Sequence, residues 1–563
     1  MSGTAMYTER FPDTLFLPDR ARLAINCLNG CLNPAHRHLP FCLTDLTGSP
    51  PRMAHTQFDW SDHTSRVIDA LLLAGAMTGD AAASRNLPAL EALFEEGFGD
   101  DGLHYTPENP WSFRHANMHY QRSVINALIS LALTGQRDGA RERGRALVRA
   151  LDRVSIHRDG YAYFPAVERL PDGWPRGDWE ILGWGVDPAN TNGRLIFGLT
   201  RLAELNDDPV ARALAGAYAR HVMDASSAYA DDGSFATGME FREGHFHSRA
   251  VTMLGVIRHG VGQHDARAVQ WGLKVFERAL RYGTRFGWFP ERLIKSRAHG
   301  CETCAIVDMM ESAIWLARAG HVQHWETAER FLRNQLVESQ LTRIDGLPAG
   351  TGAEQGGEWE STRDVAARSL GGFAGWSQPN DFFSKVMHRW DLYTCCSAQG
   401  VRGLFNAWTQ ALQVERGVMR VNLLINNANR QAVVRSWLPH RGRLEIEPRI
   451  AAELQIRIPS WVDRHRLSVR VGGQPVAGRF VDAAFLGIGK VEPGTLVEVE
   501  FPVVESITDE TVLDTTYRVG WRADTVVGID PGGSRMPLYD RAALRSEQVG
   551  RIERSVPAID FEL

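Results

Sequence analysis

The chain has 563 residues, a formal net charge of −5, 44% hydrophobic and 23% charged residues, an ordinary balance for a soluble globular protein. No basic excess or charge block points to nucleic acid, and no apolar run approaches the length of a membrane span, so neither partner is expected. The stretch Met1–Thr14 lacks the basic-then-apolar order of a secretory signal. Seven cysteines in so long a chain fit reduced thiols in a cytoplasm better than a disulfide framework.

Taken in order, Cys27, Cys31 and Cys42 come first. No histidine or fourth cysteine completes a familiar zinc pattern there, and they read as buried thiols. From about residue 60 an apolar helix pattern recurs six times, five of them leading by a short turn into a more charged helix. The apolar helices are expected at Arg66–Thr78, His119–Thr134, Asn192–Leu205, His247–Val261, Ala305–Ala319 and Gly400–Leu412. Five end at Gly79, Gly135, Asn206, Gly262 and Gly320, residues suited to a left-handed C-cap. Charged partners are expected at Ala140–Val154, Val210–Ala225, Ala266–Tyr282 and Trp325–Glu338. Six such hairpins predict a ring, an (α/α)6 barrel spanning residues 1–416; an open solenoid would call for more uniform repeats.

Turns within hairpins are short, whereas the connections Phe98–Met118, Ser155–Thr191, Tyr229–Phe246, Gly283–Cys301 and Thr342–Thr394 are long. In a closed ring these long loops share one rim, and binding residues favour such loops. The rim candidates are Asp59, Asn117, His119, Asn190, Asn192, His245, His247, Glu302, Cys304, Cys395 and Cys396. The acidic loop Glu354–Glu360 reads as solvated. Several of the sixteen tryptophans fall in loops, where they serve either sugar stacking or core packing. Beyond residue 417 the period changes to alternation, as in Leu454–Ile458 and Leu467–Val471, with turns at Gly472-Gly473 and Pro493-Gly494. Residues 417–563 are therefore expected to form a C-terminal β-sandwich, making the chain mainly α with a β domain.

Two motifs carry chemistry. Cys301-Glu302-Thr303-Cys304 opens one apolar helix and Tyr393-Thr394-Cys395-Cys396 opens the next. Glu302, Cys304, Cys395 and Cys396 supply a carboxylate and three soft thiolates, a set suited to tetrahedral Zn²⁺, although buried free cysteines account for the same residues. With these motifs, Gly287–Glu291, Val307–Met310, Arg333–Leu336, Gly371–Trp376, Val421–Asn426 and Leu454–Trp461, the chain resembles the family-127 glycoside hydrolases, zinc-containing β-L-arabinofuranosidases and related bacterial proteins.

The resemblance implies an (α/α)6 barrel with a C-terminal β-sandwich, and zinc held by Glu302, Cys304, Cys395 and Cys396. It makes Cys395 the nucleophile, Glu291 the acid/base, and His245 and His247 binders of sugar hydroxyls. An apolar wall of Trp288 and Phe289 is expected to raise the pKa of Glu291. Asn192 and His119 join the substrate-binding candidates. The implied activity is retaining exo-hydrolysis of a small glycoside or oligosaccharide of furanoside, β-L-arabinofuranoside-like type, with room for a homodimer. Two departures line the pocket: Ser397-Ala398-Gln399 follows the cysteine pair where the family has Pro-Pro-Asn, and the Glu291–Glu302 loop is shorter. The zinc chemistry carries over more firmly than the sugar. A sugar epimerase or lyase on the same barrel, or a carbohydrate-binding protein with a structural zinc, are the competing readings.

Overall fold

A computed structural model of the chain describes residues 6–110, 113–135, 138–175, 187–297, 299–384, 390–559 and 561–563. Residues 176–186 and 385–389, in two of the long connections, lie outside the described residues. Up to Gln410 the chain is rich in helix. The helices are α1 (Leu17–Gly30), α2 (Thr64–Thr78), α3 (Leu87–Glu96), α4 (Met118–Gly135), α5 (Asp138–Val154), α6 (Ile196–Asn206) and α7 (Pro209–Arg220). They continue with α8 (Phe246–Gln263), α9 (Ala266–Leu280), α10 (Thr303–Arg318), α11 (His324–Phe331), the short α12 (Val365–Ser369) and α13 (Thr394–Gln410).

Helices α2, α6, α8, α10 and α13 bury residues on nearly every side, as helices that are apolar all round must. Each apolar helix packs on the next, α2 on α4, α4 on α6, α6 on α8, α8 on α10 and α10 on α13, and α13 packs back on α2. The charged helices α5, α7, α9 and α11 lie against α4, α6, α8 and α10. Asp208 and Asp265 cap α7 and α9, each accepting backbone N–H groups of the first turn.

The chain differs from its sequence pattern at several ends. Gly79 (φ 66°) and Gly320 (φ 105°) adopt the left-handed conformation. However, α6 runs through Asn206 to a left-handed Asp207, and α8 runs past Gly262 to a left-handed His264. In both, one or two further residues complete a turn before the chain reverses. Helices α1 and α3 were not anticipated. Leu17, Ala21, Ala24, Ile25 and Leu28 of α1 are buried, and the helix packs on α2 and α13, as an outer partner would.

From Leu412 onward strands dominate. One sheet orders Leu412–Glu415, Val418–Val421, Ala452–Arg457, Phe485–Val491 and Arg479–Phe480. A second orders Asn427–Ala428, Ala432–Ser436, Arg443–Pro448, Val497–Glu500, Ser468–Val471 and Gln474–Pro475. Met419, Val421, Leu454 and Ile456 of the first share one apolar core with Val434, Leu444, Ile446 and Val499 of the second. A third sheet, Glu505–Val512, Thr515–Arg522 and Thr525–Asp530, instead sends Tyr517, Val519, Trp521 and Val526 into the larger core shared with the helices. The N-terminal strand Met6–Pro12 pairs antiparallel with Arg551–Pro557, tying the two ends together.

A small sheet sits where the apolar helices begin. Glu360–Ser361, Arg52–Ala54, Leu43–Asp45 and Leu392–Tyr393 lie side by side. The Thr394 N–H donates to Cys42 O at 2.9 Å, and Thr394 Oγ1 donates to Phe41 O at 2.6 Å. This pairing sets the start of α13, and with it the cysteine pair, against the N-terminal segment.

Candidate functional site

Cys304 lies in the first turn of α10, and Cys395 and Cys396 lie in the first turn of α13. Because α10 and α13 are packed neighbours, the three sulfurs meet within 4.8 Å of one another. Cys304 Sγ is 3.7 Å from Cys396 Sγ, and Cys395 Sγ is 3.9 Å from Cys396 Sγ. Two thiolates bound about 2.3 Å from a tetrahedral zinc stand about 3.8 Å apart, so these separations fit such an ion. All seven cysteines of the chain are buried and unbridged.

The electrostatics of the cluster also call for a cation. Burial pushes Cys395 and Cys396 well above the ordinary thiol range, and the neighbouring Cys304 reinforces it. Cys304 moves the other way, stabilised as a thiolate by hydrogen bonds from Cys395 and Cys396 and by Arg66. A divalent cation is what would hold all three sulfurs ionised in so buried a place. Burial works against the charge of Arg66, but Asp62, Cys395 and Cys304 outweigh it; its Nε donates to Asp62 Oδ1 at 2.7 Å.

Glu302 is the N-cap residue of α10. Its carboxylate groups within 4.8 Å of His245 and Glu291 rather than with all three sulfurs. The four residues expected to bind zinc thus form two adjoining groups. Glu302 Oε2 is buried without a hydrogen bond and faces His245 Nε2 at 3.4 Å. Burial opposes ionisation of Glu302, and His245, Arg242 and Arg194 outweigh it, holding its pKa below the usual value. Burial and Arg242 push His245 down to about 3, against the pull of Glu302; its Nδ1 is bonded to Ser248 Oγ at 2.6 Å.

Glu291 sits in the loop between α9 and α10, fixed by its own backbone. Its N–H donates to Gly300 O at 2.7 Å, and its carbonyl accepts the Phe246 N–H at 2.8 Å. The Arg292 guanidinium lies 3.8 Å from its Oε1. The Trp288 indole donates to Ser377 O at 2.9 Å, and the Phe289 ring stacks on Phe246 with centroids 4.8 Å apart.

His247 Nδ1 pairs with Asp308 Oδ2 at 2.6 Å, while its Nε2 meets Arg194 Nη1 at 3.2 Å. Burial lifts Asp308 and depresses His247. His119 is kept neutral by burial and by Arg194, Arg242, Arg66 and Arg122. Asn192 turns to His221 on the outer layer, its amide 3.2 Å from Nδ1. Asn190 instead reaches the group, its Oδ1 accepting from Arg242 at 2.9 Å. Trp376 and Tyr393 stack with centroids 5.5 Å apart, and Tyr393 packs against the three cysteines. The exposed Glu354 accepts from the Thr362 N–H and Ser361 hydroxyl, ordering its loop.

Residues of the site that sequence reasoning missed are mainly Arg66, Arg122, Arg194, Arg242 and Asp308. Only the Asp62–Arg66 pair, at i, i+4 spacing on one helix face, left a local signal.

No protein-family model matches the sequence, and no curated protein matches it. Solved structures do match its fold. A GH127 beta-L-arabinofuranosidase from Geobacillus stearothermophilus T6 aligns with a TM-score of 0.59 at 12% identity, covering 92% of this chain and 86% of that one. Another GH127 beta-arabinofuranosidase aligns with a TM-score of 0.62 at 13% identity, covering 92% and 83%. A sugar epimerase from a ruminal bacterium reaches 0.50 at 13% identity, covering 71% of this chain and 100% of its own. At such identities the likeness is one of fold. A helix-rich N-terminal region followed by several distinct sheets is common ground with the GH127 structures.

Proposed function

We propose that this protein is a retaining exo-glycoside hydrolase of family-127 type, acting on small furanoside sugars through Cys395 as nucleophile and Glu291 as acid/base. The observation that carries the reading is the thiol cluster at zinc-like spacing, with its members unequally accessible. Cys304 and Cys396 are 1% and 0% exposed, whereas Cys395 keeps 8%. His245, His247, Glu291 and Glu302 likewise keep 5–6%, the slivers of surface that groups touching one terminal sugar require. Support for an (α/α)6 barrel comes from α13 packing back on α2, and support for a β-sandwich from residue 417 comes from the core the two sheets share.

Zinc, held by Glu302, Cys304, Cys395 and Cys396, would keep the thiols ionised near neutral pH. In the first step the Cys395 thiolate attacks the anomeric carbon; the C–S bond forms as the C–O bond breaks, and Glu291 gives its proton to the leaving oxygen. In the second, Glu291 takes a proton from water, the water oxygen attacks the same carbon, and Cys395 leaves as thiolate. Two inversions give net retention. His245, His247 and Asn190 orient the sugar, and Trp376 and Tyr393 wall the thiols. Seven unbridged cysteines fit a reducing, cytoplasmic location.

The test is a panel of nitrophenyl glycosides with zinc-loaded protein. Release from an arabinofuranoside or a close furanoside supports the reading, and no release from any furanoside removes it. One observation bears on a second reading, a sugar epimerase: Asp308 orients His247 as it would a general base, although Arg194 Nη1 stands 3.2 Å from the other ring nitrogen. Uptake of solvent deuterium at a sugar carbon, without hydrolysis, would select it.

A further inference from the structure

Across Tyr393 from the thiol cluster lies a second buried group that the proposed chemistry leaves unused. Cys42, Asp59 and His63 bring a sulfur, a carboxylate oxygen and a ring nitrogen within 4.8 Å of one another, and all three residues are fully buried. Cys42 immediately precedes the strand Leu43–Asp45, while Asp59 and His63 are the first and last residues of a wide helical turn leading into α2. Turns of this π type are frequent at functional sites.

The protein itself does not satisfy these atoms. Asp59 Oδ2 accepts the Thr56 N–H at 2.8 Å and is bonded to His55 Nδ1 at 2.7 Å, yet Asp59 Oδ1 makes no hydrogen bond. Neither ring nitrogen of His63 makes one either, although Nδ1 stands 3.4 Å from Asp59 Oδ1. One ion reaches only one nitrogen of a ring: Asp59 Oδ1 and His63 Nδ1 face each other and can share a partner, while His63 Nε2 stands 3.8 Å from Asp62 Oδ2. The spacing suits a metal ion. An imidazole nitrogen and a carboxylate oxygen both about 2.0–2.1 Å from a tetrahedral zinc stand about 3.3 Å apart, close to the separation seen.

We infer that Cys42, Asp59 and His63 form a second metal site, separate from Cys304, Cys395 and Cys396, that takes a borderline-soft divalent cation of the zinc class. One thiolate, one carboxylate and one imidazole are the donors such an ion accepts. The carboxylate is already aimed: Asn33 holds His55 Nε2 at 2.9 Å, and His55 holds Asp59 Oδ2. Burial raises Cys42 and Asp59 and lowers His63 to about 4. A cation held there meets the Cys42 thiolate and the Asp59 carboxylate, two negative charges that balance it. The His63 and Tyr393 rings meet edge to face at 5.4 Å, so the second ion fixes the tyrosine that walls the first site. None of this rests on the glycosidase reading.

Metal content, measured by plasma mass spectrometry beside circular dichroism, tests the inference on full-length protein. Cys42→Ala and His63→Ala should each lose about one cation relative to wild type while the three-cysteine site keeps its own. Cobalt(II) titrated into the Cys304→Ser/Cys395→Ser/Cys396→Ser chain should give a thiolate charge-transfer band at about one equivalent, abolished by adding Cys42→Ala. Unchanged metal content in folded Cys42→Ala and His63→Ala overturns the site. If those variants fail to fold, absence of the cobalt band in the triple variant overturns it instead.

Discussion

Replacing Glu329 with glutamine should destabilise the protein severely, because this one carboxylate joins the helices to the sheets. Its Oε1 accepts from Arg333 Nε at 2.6 Å; its Oε2 accepts the Leu424 N–H at 2.8 Å and a short bond from Arg457 Nη2. Arg333 in turn donates to Leu424 O and Arg457 to Asn422 O, both at 2.6 Å. Glu329 and Arg457 are each 1% exposed. With both oxygens already accepting, a glutamine amide must turn an N–H donor toward another donor, leaving two buried guanidiniums without their counter-charge. Breaking a buried ion pair by removing one partner costs roughly 3–5 kcal/mol. Burial opposes the charge of Glu329, but Arg333 and Arg457 hold its pKa below the usual value. Its contribution is therefore full above the unfolded pKa near 4.5 and is lost as pH falls through the folded value. Urea unfolding at pH 7 should show the loss, and the gap between variant and wild type should narrow in acid. A change below about 1 kcal/mol at pH 7 would refute the reasoning.

Cys304→Ser should lose metal and stability together, because metal binding to a closed site is folding free energy; unchanged metal by mass spectrometry would separate Cys304 from the ion. Glu291→Gln should fold and keep metal yet lose turnover, least for glycosides with good leaving groups, which need little protonation to depart. Equal loss across a leaving-group series would mark Glu291 as a loop anchor. His104, fully buried with Nε2 3.0 Å from Phe94 O, is lowered to about 4 by burial. The unfolded chain then binds the extra proton between about pH 6.5 and 4, so stability falls with acid by about 1.4 kcal/mol per pH unit from this group. His104→Gln should flatten that slope by about one proton in pH-dependent urea unfolding, and an unaltered slope would count against it.

What could be read from the sequence was local. Glu302 and Cys304 are two residues apart and Cys395 and Cys396 are adjacent, so each half of the thiol site shows in a few letters. Their meeting needed only two apolar helices in sequence order. The six apolar helices were legible for the same reason: a long 3.6-residue period survives without tertiary knowledge. The residues that complete the site were not. Asp308 meets His247 across 61 positions, and Arg66, Arg122 and Arg194 converge from three helices or their leading turns. Nothing local distinguishes such an arginine from one facing solvent. Asn190 and Asn192 are two residues apart in the pattern, yet Asn192 turns to His221 and Asn190 to Arg242. Cys42 reads with Cys27 and Cys31 as a buried thiol because Asp59 and His63 come from the far side of two short strands.

The central claim is that Cys395 attacks the sugar. The most direct measurement slows deglycosylation with a deactivated furanoside, then identifies any adduct by peptide mass spectrometry and the product anomer by NMR. The account predicts a sugar on the peptide containing Cys395-Cys396 and a first-formed product of retained configuration. An inverted product, with no adduct on that peptide, would contradict it and leave the cysteine pair a structural role.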